Sequence, residues 1–596
     1  MTDKNANPRH DSKQHIKLSK HLQQYADCEA PAMQMMGHYT RIPGGNIQHG
    51  ITDGEREDVC SYIRYTENVT DKQTNKVSVR VDIKDHQGHD KTILVPRAYT
   101  IGSPSRLLEF LLNAGFCIFD LKLAKEFLSE LYEFEPPDRN IDNVASPGWH
   151  TIPNVSEKAF VTNYKTYAPA DIECNIELDG AASAVCSRKG RLSEWKEHVA
   201  KLCDGNSRLM LMLSTSASAA LLYVIGHHNF GLHISGPSRA GKTTGLVVAG
   251  SFFGDNQFRS SWNATNNALQ EIAPSRNDMA LLLDEISQCD AKQVSAAVYD
   301  LMNGVTKGRL NSEIKLATGI RFRVVVISTG EISVQEHLQQ GGINVKAGQT
   351  IRLISIPVHS KYGLFEDLHG FDSPGEFAST LLKNADAYYG TAGHEFLCRI
   401  VINQNKLRKV LPGQVLEIEQ TLLSCLSTDN PTAVQRSVAK SIAVIACAGE
   451  LAIRFQIFPW EKGRAIRAAI ICFKAWNRYE QEAELERNPA YGALKQFFHD
   501  NEPSLLPLSR YVATSELPVY THDVDGNPAF LVSPEYFERT LCRQFGKKSG
   551  LDALKKHGLL VPNSRGGPTR QTTIPKKPEL GKPGFYVIRA TILASE

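Results

Sequence analysis

The sequence predicts an α/β protein built on a buried parallel sheet, and three stretches predict it. The first, Gly231-Leu-His-Ile-Ser-Gly-Pro-Ser-Arg-Ala-Gly-Lys-Thr-Thr-Gly245, reads as a strand running into a glycine-rich loop and then a helix. The second, Met279-Ala-Leu-Leu-Leu-Asp284-Glu285, is an unbroken apolar run ending in two carboxylates. The third, Arg323-Val-Val-Val-Ile-Ser-Thr-Gly330, is another apolar run with a polar end. Runs of strand length without polar alternation fit strands covered on both faces, as in parallel sheets flanked by helices.

Gly236, Gly241, Lys242 and Thr243 stand at the G-x-x-x-x-G-K-[ST] spacing of a phosphate-binding loop. Glycines let backbone N–H groups curl around phosphate oxygens, and the following helix turns its positive end toward them. Gly236, Pro237, Ser238, Arg239, Ala240, Gly241, Lys242, Thr243 and Thr244 are therefore the expected ATP cradle. In that pattern Lys242 reaches the β and γ phosphates, and the Thr243 hydroxyl and Asp284 hold Mg²⁺. Glu285 is expected to polarise the attacking water. Ser328 and Thr329 fall where a γ-phosphate sensor sits.

The length of 596 residues leaves room for three or four domains, and the 42 % hydrophobic content is that of an ordinary protein with sizeable cores. A net charge of +3 says little globally. The 12 cysteines show no C-x-x-C pair and no zinc-type spacing, and no secretory signal opens the chain, so reduced thiols in a cytoplasm are expected. The most apolar long segment, Leu209 to Ile225, carries Ser214, Thr215, Ser216 and Ser218, and reads as a core helix, with no membrane partner expected.

In chain order, residues 1–40 are polar and read as a flexible tail. Residues 41–185 read as an N-terminal α+β domain: strands at Val77–Ile83 and Thr92–Val95 around a polar turn, helical spacing at Leu107–Ala114 and Leu121–Leu131, and a β-rich end near Gly148-Trp-His150. The ATPase core is placed at 186–370. Within it, Asn303-Gly-Val-Thr-Lys307-Gly-Arg309 holds two cations, and Glu313 to Val324 reads as a β-hairpin with a tight turn at Ala317 to Gly319. Lys315 and Arg321, with Lys307 and Arg309, are its candidate DNA contacts; a surface hairpin with solvated charges is the plainer alternative. Arg352 enters the next strand, and such an arginine commonly serves the nucleotide of a neighbouring subunit. Residues 371–488 read as a helical lid, with Arg436 at the start of its central helix facing the γ-phosphate. Residues 489–596 are basic, with twelve Lys or Arg against two acids between Arg539 and Arg589. The pattern helix, helix, strand, basic loop, strand outlines a winged helix, with Lys555 and Lys556 as DNA contacts.

On these residues, with Trp262-Asn-Ala-Thr265, Tyr299-Asp-Leu-Met-Asn-Gly304, Ser328-Thr-Gly-Glu331 and Gly348-Gln, the chain resembles the bacterial family catalogued as domain of unknown function 927. That family comprises helicase-like P-loop proteins of phages, plasmids and integrated cassettes. The resemblance implies a ring-forming AAA+ ATPase, a hexamer, acting as a DNA helicase or translocase in replication of a mobile genetic element. It also implies ATP and Mg²⁺ as cofactors and single-stranded or forked DNA as partner. No zinc-ribbon or primase module is evident, so priming would come from a separate protein. An ATP-switched DNA-binding initiator without unwinding activity is the alternative reading. A metabolic P-loop enzyme would have no use for the basic C-terminal region.

Overall fold

The computed structural model describes residues 34–42, 45–50, 56–180, 186–264, 266–306, 319–343, 352–358, 360–426, 430–512, 517–575 and 577–593. The chain divides into two compact units, one reaching to Ala145 with Asn175–Asp179, the other comprising Ser146–Cys174 and Gly180 onward.

The first unit has two sheets. Four short antiparallel strands at Gln34–Met36, Tyr39–Arg41, Ile47–His49 and Glu57–Cys60 form one. The other places Ile176–Leu178, Arg139–Val144, Ile63–Asp71, Val77–Lys84 and Asp90–Pro96 side by side. Alternation in Val77–Lys84 buries Val79, Val81 and Ile83 and leaves Arg80 and Asp82 only half-buried, as a strand with one core face requires. Helices at Pro104–Asn113 and Leu121–Phe134 supply Leu107, Leu111, Phe127 and Leu131 to the same core. This unit is narrower than the span 41–185 read from sequence. The Gly148–Thr151, Lys158–Val161 and Thr166–Tyr167 strands belong to the second unit, because Trp149, Phe160 and Tyr167 are buried in its core.

The second unit is organised on five parallel strands. In chain order its elements are β1 (Phe230–Ser235), α1 (Lys242–Gly250), β2 (Arg259–Ser261), α2 (Asn266–Ser275), β3 (Met279–Asp284), α3 (Ala291–Asn303), β4 (Val324–Gly330), α4 (Val334–Gln340) and β5 (Leu353–Pro357). The strand order is β2-β3-β4-β1-β5, all neighbours parallel. Every residue of β1, β4 and β5 is buried, which explains the unbroken apolar runs. One face packs Leu282, Val325, Ile327 and Ile354 with Leu246 and Val248 of α1. The other packs Leu281, Leu283, Val324 and Val326 with Val294 and Val298 of α3 and Leu338 of α4.

Helix Ser207–Ala219 is buried along its whole length, as expected of a core helix, and no helix among the described residues is long and apolar enough to cross a membrane. Beyond β5 come α5 (Pro374–Ala387), α6 (Thr391–Ile402), α7 (Gln404–Ser424), α8 (Ala433–Arg454) and α9 (Arg464–Arg487). Ala443, Ile445 and Phe473 of this helical region share one core with Ile354 and Leu246 of the sheet layer.

The C-terminal region holds more sheet than helix, helix, strand, loop, strand. Its five strands run in the order Leu506–Pro507, Val519–Val524, Asn527–Val532, Gly584–Arg589, Thr569–Gln571. The hairpin of Val519–Val524 with Asn527–Val532 turns at Asp525-Gly526, both with positive φ (57° and 80°), the conformation two-residue hairpin turns favour. That Asp-Gly signal between two apolar runs is legible in the sequence, and the winged-helix outline passed over it. The helix at Gly546–Lys556 and the pairing of Leu560 with Ile588 do lie where the pattern placed a helix and a strand.

Candidate nucleotide-binding site

Strand β1 ends at Ser235, where the chain cannot continue in the sheet because the loop must reverse into α1. Gly236 donates its N–H to Gly330 O of β4 at 3.2 Å, and Leu364 N–H donates to Ala240 O at 2.7 Å, so both ends of the loop are held. Gly241 is required on two counts: its φ is +84°, and a Cβ there would meet Phe365 Cζ at 2.9 Å. Pro237, Ser238 and Arg239 are exposed, Ala240 is buried and Thr244 points inward under α1.

Lys242 is 7 % exposed and folds its Nζ back onto Gly236 O at 2.8 Å and Pro237 O at 2.7 Å. Burial lowers its pKa, with the carboxylates of Glu285, Glu331 and Asp284 opposing the shift. The amine is thus sited at the mouth of the loop beside three acids.

Side-chain alternation settles which polar groups reach that mouth. Asp284 has the parity of Leu282 and Thr329 that of Ile327, so both lie on the face covered by α1. Thr329 Oγ1 donates to Asp284 Oδ1 at 2.6 Å, and Thr243 Oγ1 to the same oxygen at 3.4 Å. Glu285 follows with φ +54°, its N–H donating to Thr329 Oγ1 at 3.1 Å and its carboxylate accepting from Ser287 Oγ at 2.6 Å. Lys242, Thr243, Asp284, Glu285 and Thr329 are therefore brought together at the C-terminal ends of β1, β3 and β4.

Ser328 is not among them. It has the opposite parity and lies fully buried on the other face, accepting from Trp262 Nε1 at 2.7 Å and bonded to His233 Nδ1 at 2.9 Å. His233 Nε2 meets Ile332 O at 2.9 Å, so Nε2 carries the proton and Ser328 donates to Nδ1. Burial pushes the His233 pKa down to about 4. A histidine whose pKa is depressed on folding binds fewer protons folded than unfolded, so the stability tied to its neutral form is lost as pH falls from about 6.5 toward 4. Thermal melting across that window is expected to show a steeper loss for the wild type than for His233→Gln, and parallel losses would remove this role.

One residue escaped sequence reasoning. Arg259 of β2 donates to Asp284 Oδ2 at 2.6 Å, half-buried beside it. A lone arginine after Gln257-Phe258 carries no motif; only the pairing of β2 with β3, Ser261 beside Asp284, puts it there.

Other predicted residues lie elsewhere. Arg352 is at the opposite rim: its carbonyl accepts from Gly231 N–H at the start of β1, and its NH1 donates to Asn303 Oδ1 at 3.3 Å. Roughly five strand residues, on the order of 15 Å, separate that rim from its own loop. Arg436 is exposed and donates to Pro431 O at 3.2 Å; no bond among the described residues joins it to Lys242, Asp284 or Glu285. Arg321 is exposed and pairs with Val305, while Thr306 N–H donates to Ile320 O at 2.9 Å and Phe322 N–H to Gly304 O at 2.9 Å. The partner of Ile320 to Phe322 is thus Gly304 to Thr306. Gly304, at φ +66°, reverses the chain after α3, and the turn expected at Ala317 to Gly319 lies largely outside the described residues. Lys307, Arg309, Lys315 and Gly348-Gln349 lie outside the described residues. Lys555 and Lys556 are exposed in the last turn of Gly546–Lys556.

Gly148-Trp149-His150 has a structural task. A Cβ on Gly148 would lie 2.4 Å from Asp278 Oδ2, Trp149 N–H donates to that oxygen at 3.0 Å, and Trp149 Nε1 to Ala220 O at 2.9 Å. Asp278, fully buried, is also held by Arg323 Nε at 2.6 Å. His150 Nε2 donates to Ser146 O at 2.8 Å, so the motif clamps a β-hairpin to the foot of β3.

Among solved structures, the SCCmec type IV Cch active helicase superposes with a TM-score of 0.57 at 17 % identity, covering 94 % of this chain and 99 % of that one. The C-terminal region of NrS-1 matches at TM-score 0.27 and 12 % identity over 68 % of this chain and 90 % of that one. A full-length MCM homolog from Methanopyrus kandleri matches at 0.29 and 11 % over 63 % and 95 %. Only the first likeness is close enough to bear on the fold, and it shows a mixed α/β architecture shared with a helicase along nearly the whole chain. No curated protein matches the sequence. Residues 43–316 match the family model described as Domain of unknown function (DUF927), a span that takes in the glycine-rich loop and the acidic strand.

Proposed function

We propose that the chain is an ATP-dependent DNA helicase or translocase with an AAA+ arrangement: N-terminal α+β domain, ATPase core, helical lid and basic C-terminal domain, working as a ring, a hexamer. The observation that carries this is the meeting of Lys242, Thr243, Asp284, Glu285 and Thr329 at the C-terminal ends of parallel strands, where open α/β sheets bind ligands. The curled loop, the free N-terminal end of α1 and the adjacent carboxylate are the donor set that a magnesium nucleotide needs.

Residues 236–244 would hold the ATP phosphates, with Thr243 and Asp284 holding Mg²⁺, which supplies charge neutralisation on the transferring phosphoryl group. Lys242 exchanges its loop carbonyls for phosphate oxygens. Thr329 orients Asp284 through the 2.6 Å bond and fixes the backbone of Glu285. Glu285 accepts the proton of the attacking water. Arg259 anchors the second oxygen of Asp284 and would share that carboxylate with the cation. Arg352 and the bridge of Val305 with Arg321 lie at the far rim, which suits service to a neighbouring subunit and to DNA.

Replication of a mobile genetic element, with a separate primase, is the setting this reading suggests. Its test is ATP hydrolysis with and without DNA, together with strand displacement on a forked duplex. DNA-stimulated hydrolysis with fork unwinding is expected; stimulation without unwinding would favour an ATP-switched initiator, and hydrolysis indifferent to DNA would end the proposal.

A further inference from the structure

A second cluster of chemistry-bearing side chains lies away from the nucleotide site. The strands Lys158–Val161 and Thr166–Tyr167 are joined by a turn pinned by Thr162, whose Oγ1 donates to Lys165 O at 2.7 Å. That turn presents Tyr164, 38 % exposed, and Lys165, also exposed. Tyr164 OH bonds to Tyr167 OH at 2.6 Å, and the buried Tyr167 OH bonds to His394 Nδ1 of α6 at 2.9 Å. Asn163 and Cys186 exchange side-chain and backbone bonds at 2.9 Å each way, which sets the exposed Arg188 5.9 Å from the Tyr164 ring centroid. Lys165 Nζ stands 5.6 Å from the Tyr167 centroid.

Neither Arg188 nor Lys165 has a carboxylate partner among the described residues, and the nearby Glu395 is engaged by Arg399 at 2.6 Å. Burial first, then the Arg188 and Lys165 charges, lower the His394 pKa, with Glu395 opposing, so the cluster keeps a positive potential around a neutral imidazole. An exposed aromatic ring fixed at its hydroxyl and flanked by two cations without a carboxylate partner among the described residues matches what a single nucleic-acid strand asks for: a face for a base and charges for the adjoining phosphates. Bases in a duplex are already stacked, so a rigid ring at a turn tip favours an unpaired strand.

We propose that Tyr164, Tyr167, Lys165, Arg188 and His394 form a contact site for single-stranded DNA, Tyr164 receiving a base and Arg188 and Lys165 its phosphates. The inference rests on the nucleic-acid reading above and adds a site to it. The cluster is also wired to the nucleotide site. Gly390 N–H, which caps α6, donates to Ser251 O at 2.8 Å, and Gly393 N–H to Phe252 O at 2.8 Å, directly after the C-terminal end of α1.

The test uses full-length protein with a slowly hydrolysed ATP analogue and a fluorescent 20-mer of deoxythymidine, titrated across a salt series. Tyr164→Ala is expected to weaken binding about tenfold while Tyr164→Phe binds as wild type, the scale of one lost base stack. Arg188→Ala, at an exposed position that leaves the fold untouched, is expected to flatten the salt dependence by about 0.7 in log–log slope. Photocrosslinking with an iododeoxyuridine-substituted strand is expected to label Tyr164. Wild-type affinity and slope in both alanine variants, with crosslinks elsewhere only, would overturn this site and leave the nucleic-acid reading standing. Failure of the wild type to bind any single strand would overturn that reading and this site with it.

Discussion

Lys242→Ala is expected to abolish ATP binding, whereas Glu285→Gln is expected to bind ATP as the wild type does and to lose turnover by about 10²-fold or more. The two residues stand at one mouth but act on different species. The Lys242 amine is partly desolvated and already satisfied by the carbonyls of Gly236 and Pro237, so its removal takes away the buried cation that would meet phosphate charge inside the loop. Glu285 touches neither the loop nor Thr243 through any bond among the described residues; its carboxylate is held by Ser287 and its backbone by Thr329. The isosteric amide keeps that hold while losing the base. Nucleotide binding by titration calorimetry and steady-state hydrolysis measure the two effects separately. Equal hydrolysis by Glu285→Gln and wild type would sink the role given to the acidic strand.

Arg352→Ala is expected to bind ATP and to assemble normally, yet to hydrolyse ATP about 10³-fold more slowly or worse, the scale of a lost arginine finger. The reason is geometric. Arg352 lies on the rim where β1 begins, its guanidinium bonded to Asn303, and the loop it would serve is at the other end of the sheet. Within one chain its charge is screened from the nucleotide by the thickness of the core, so any contribution to hydrolysis has to come across a subunit boundary. Mixing Arg352→Ala with Lys242→Ala subunits provides the check: partial recovery of hydrolysis shows one subunit's arginine completing another's site. Mixed rings without recovery would count decisively against it.

The candidate nucleotide site was largely legible because each of its parts is local. A glycine spacing, a lysine and a threonine at a helix start, and carboxylates at the end of an apolar run are all patterns within a dozen residues. Misreadings arose where the answer depended on a neighbour. The Ser328–Thr329 pair is two polar residues in the sequence, and the pleat sends one to Asp284 and the other to His233 and Trp262. The pairing of Ile320 to Phe322 with Gly304 to Thr306 was not read from the sequence, because the two stretches are joined only through a distant neighbour. The basic C-terminal region was read through its charges, and its Asp525-Gly526 hairpin was missed.

By itself, the sequence determined that a parallel sheet exists, where its glycine-rich loop and acidic strand lie, and that a long helical region follows. It could do so because strand burial and loop curvature impose composition and spacing on contiguous residues. Tertiary structure alone decided the strand order β2-β3-β4-β1-β5, the choice of Thr329 over Ser328, and the pairing of Arg259 with Asp284. It likewise decided the transfer of Trp149, Phe160 and Tyr167 into the core of the second unit, and the meeting of Tyr164 and Tyr167 with His394, more than two hundred residues away. Those outcomes depend on which distant surfaces exclude water together and which face of a strand a neighbour covers, and no residue carries that information in its own local sequence.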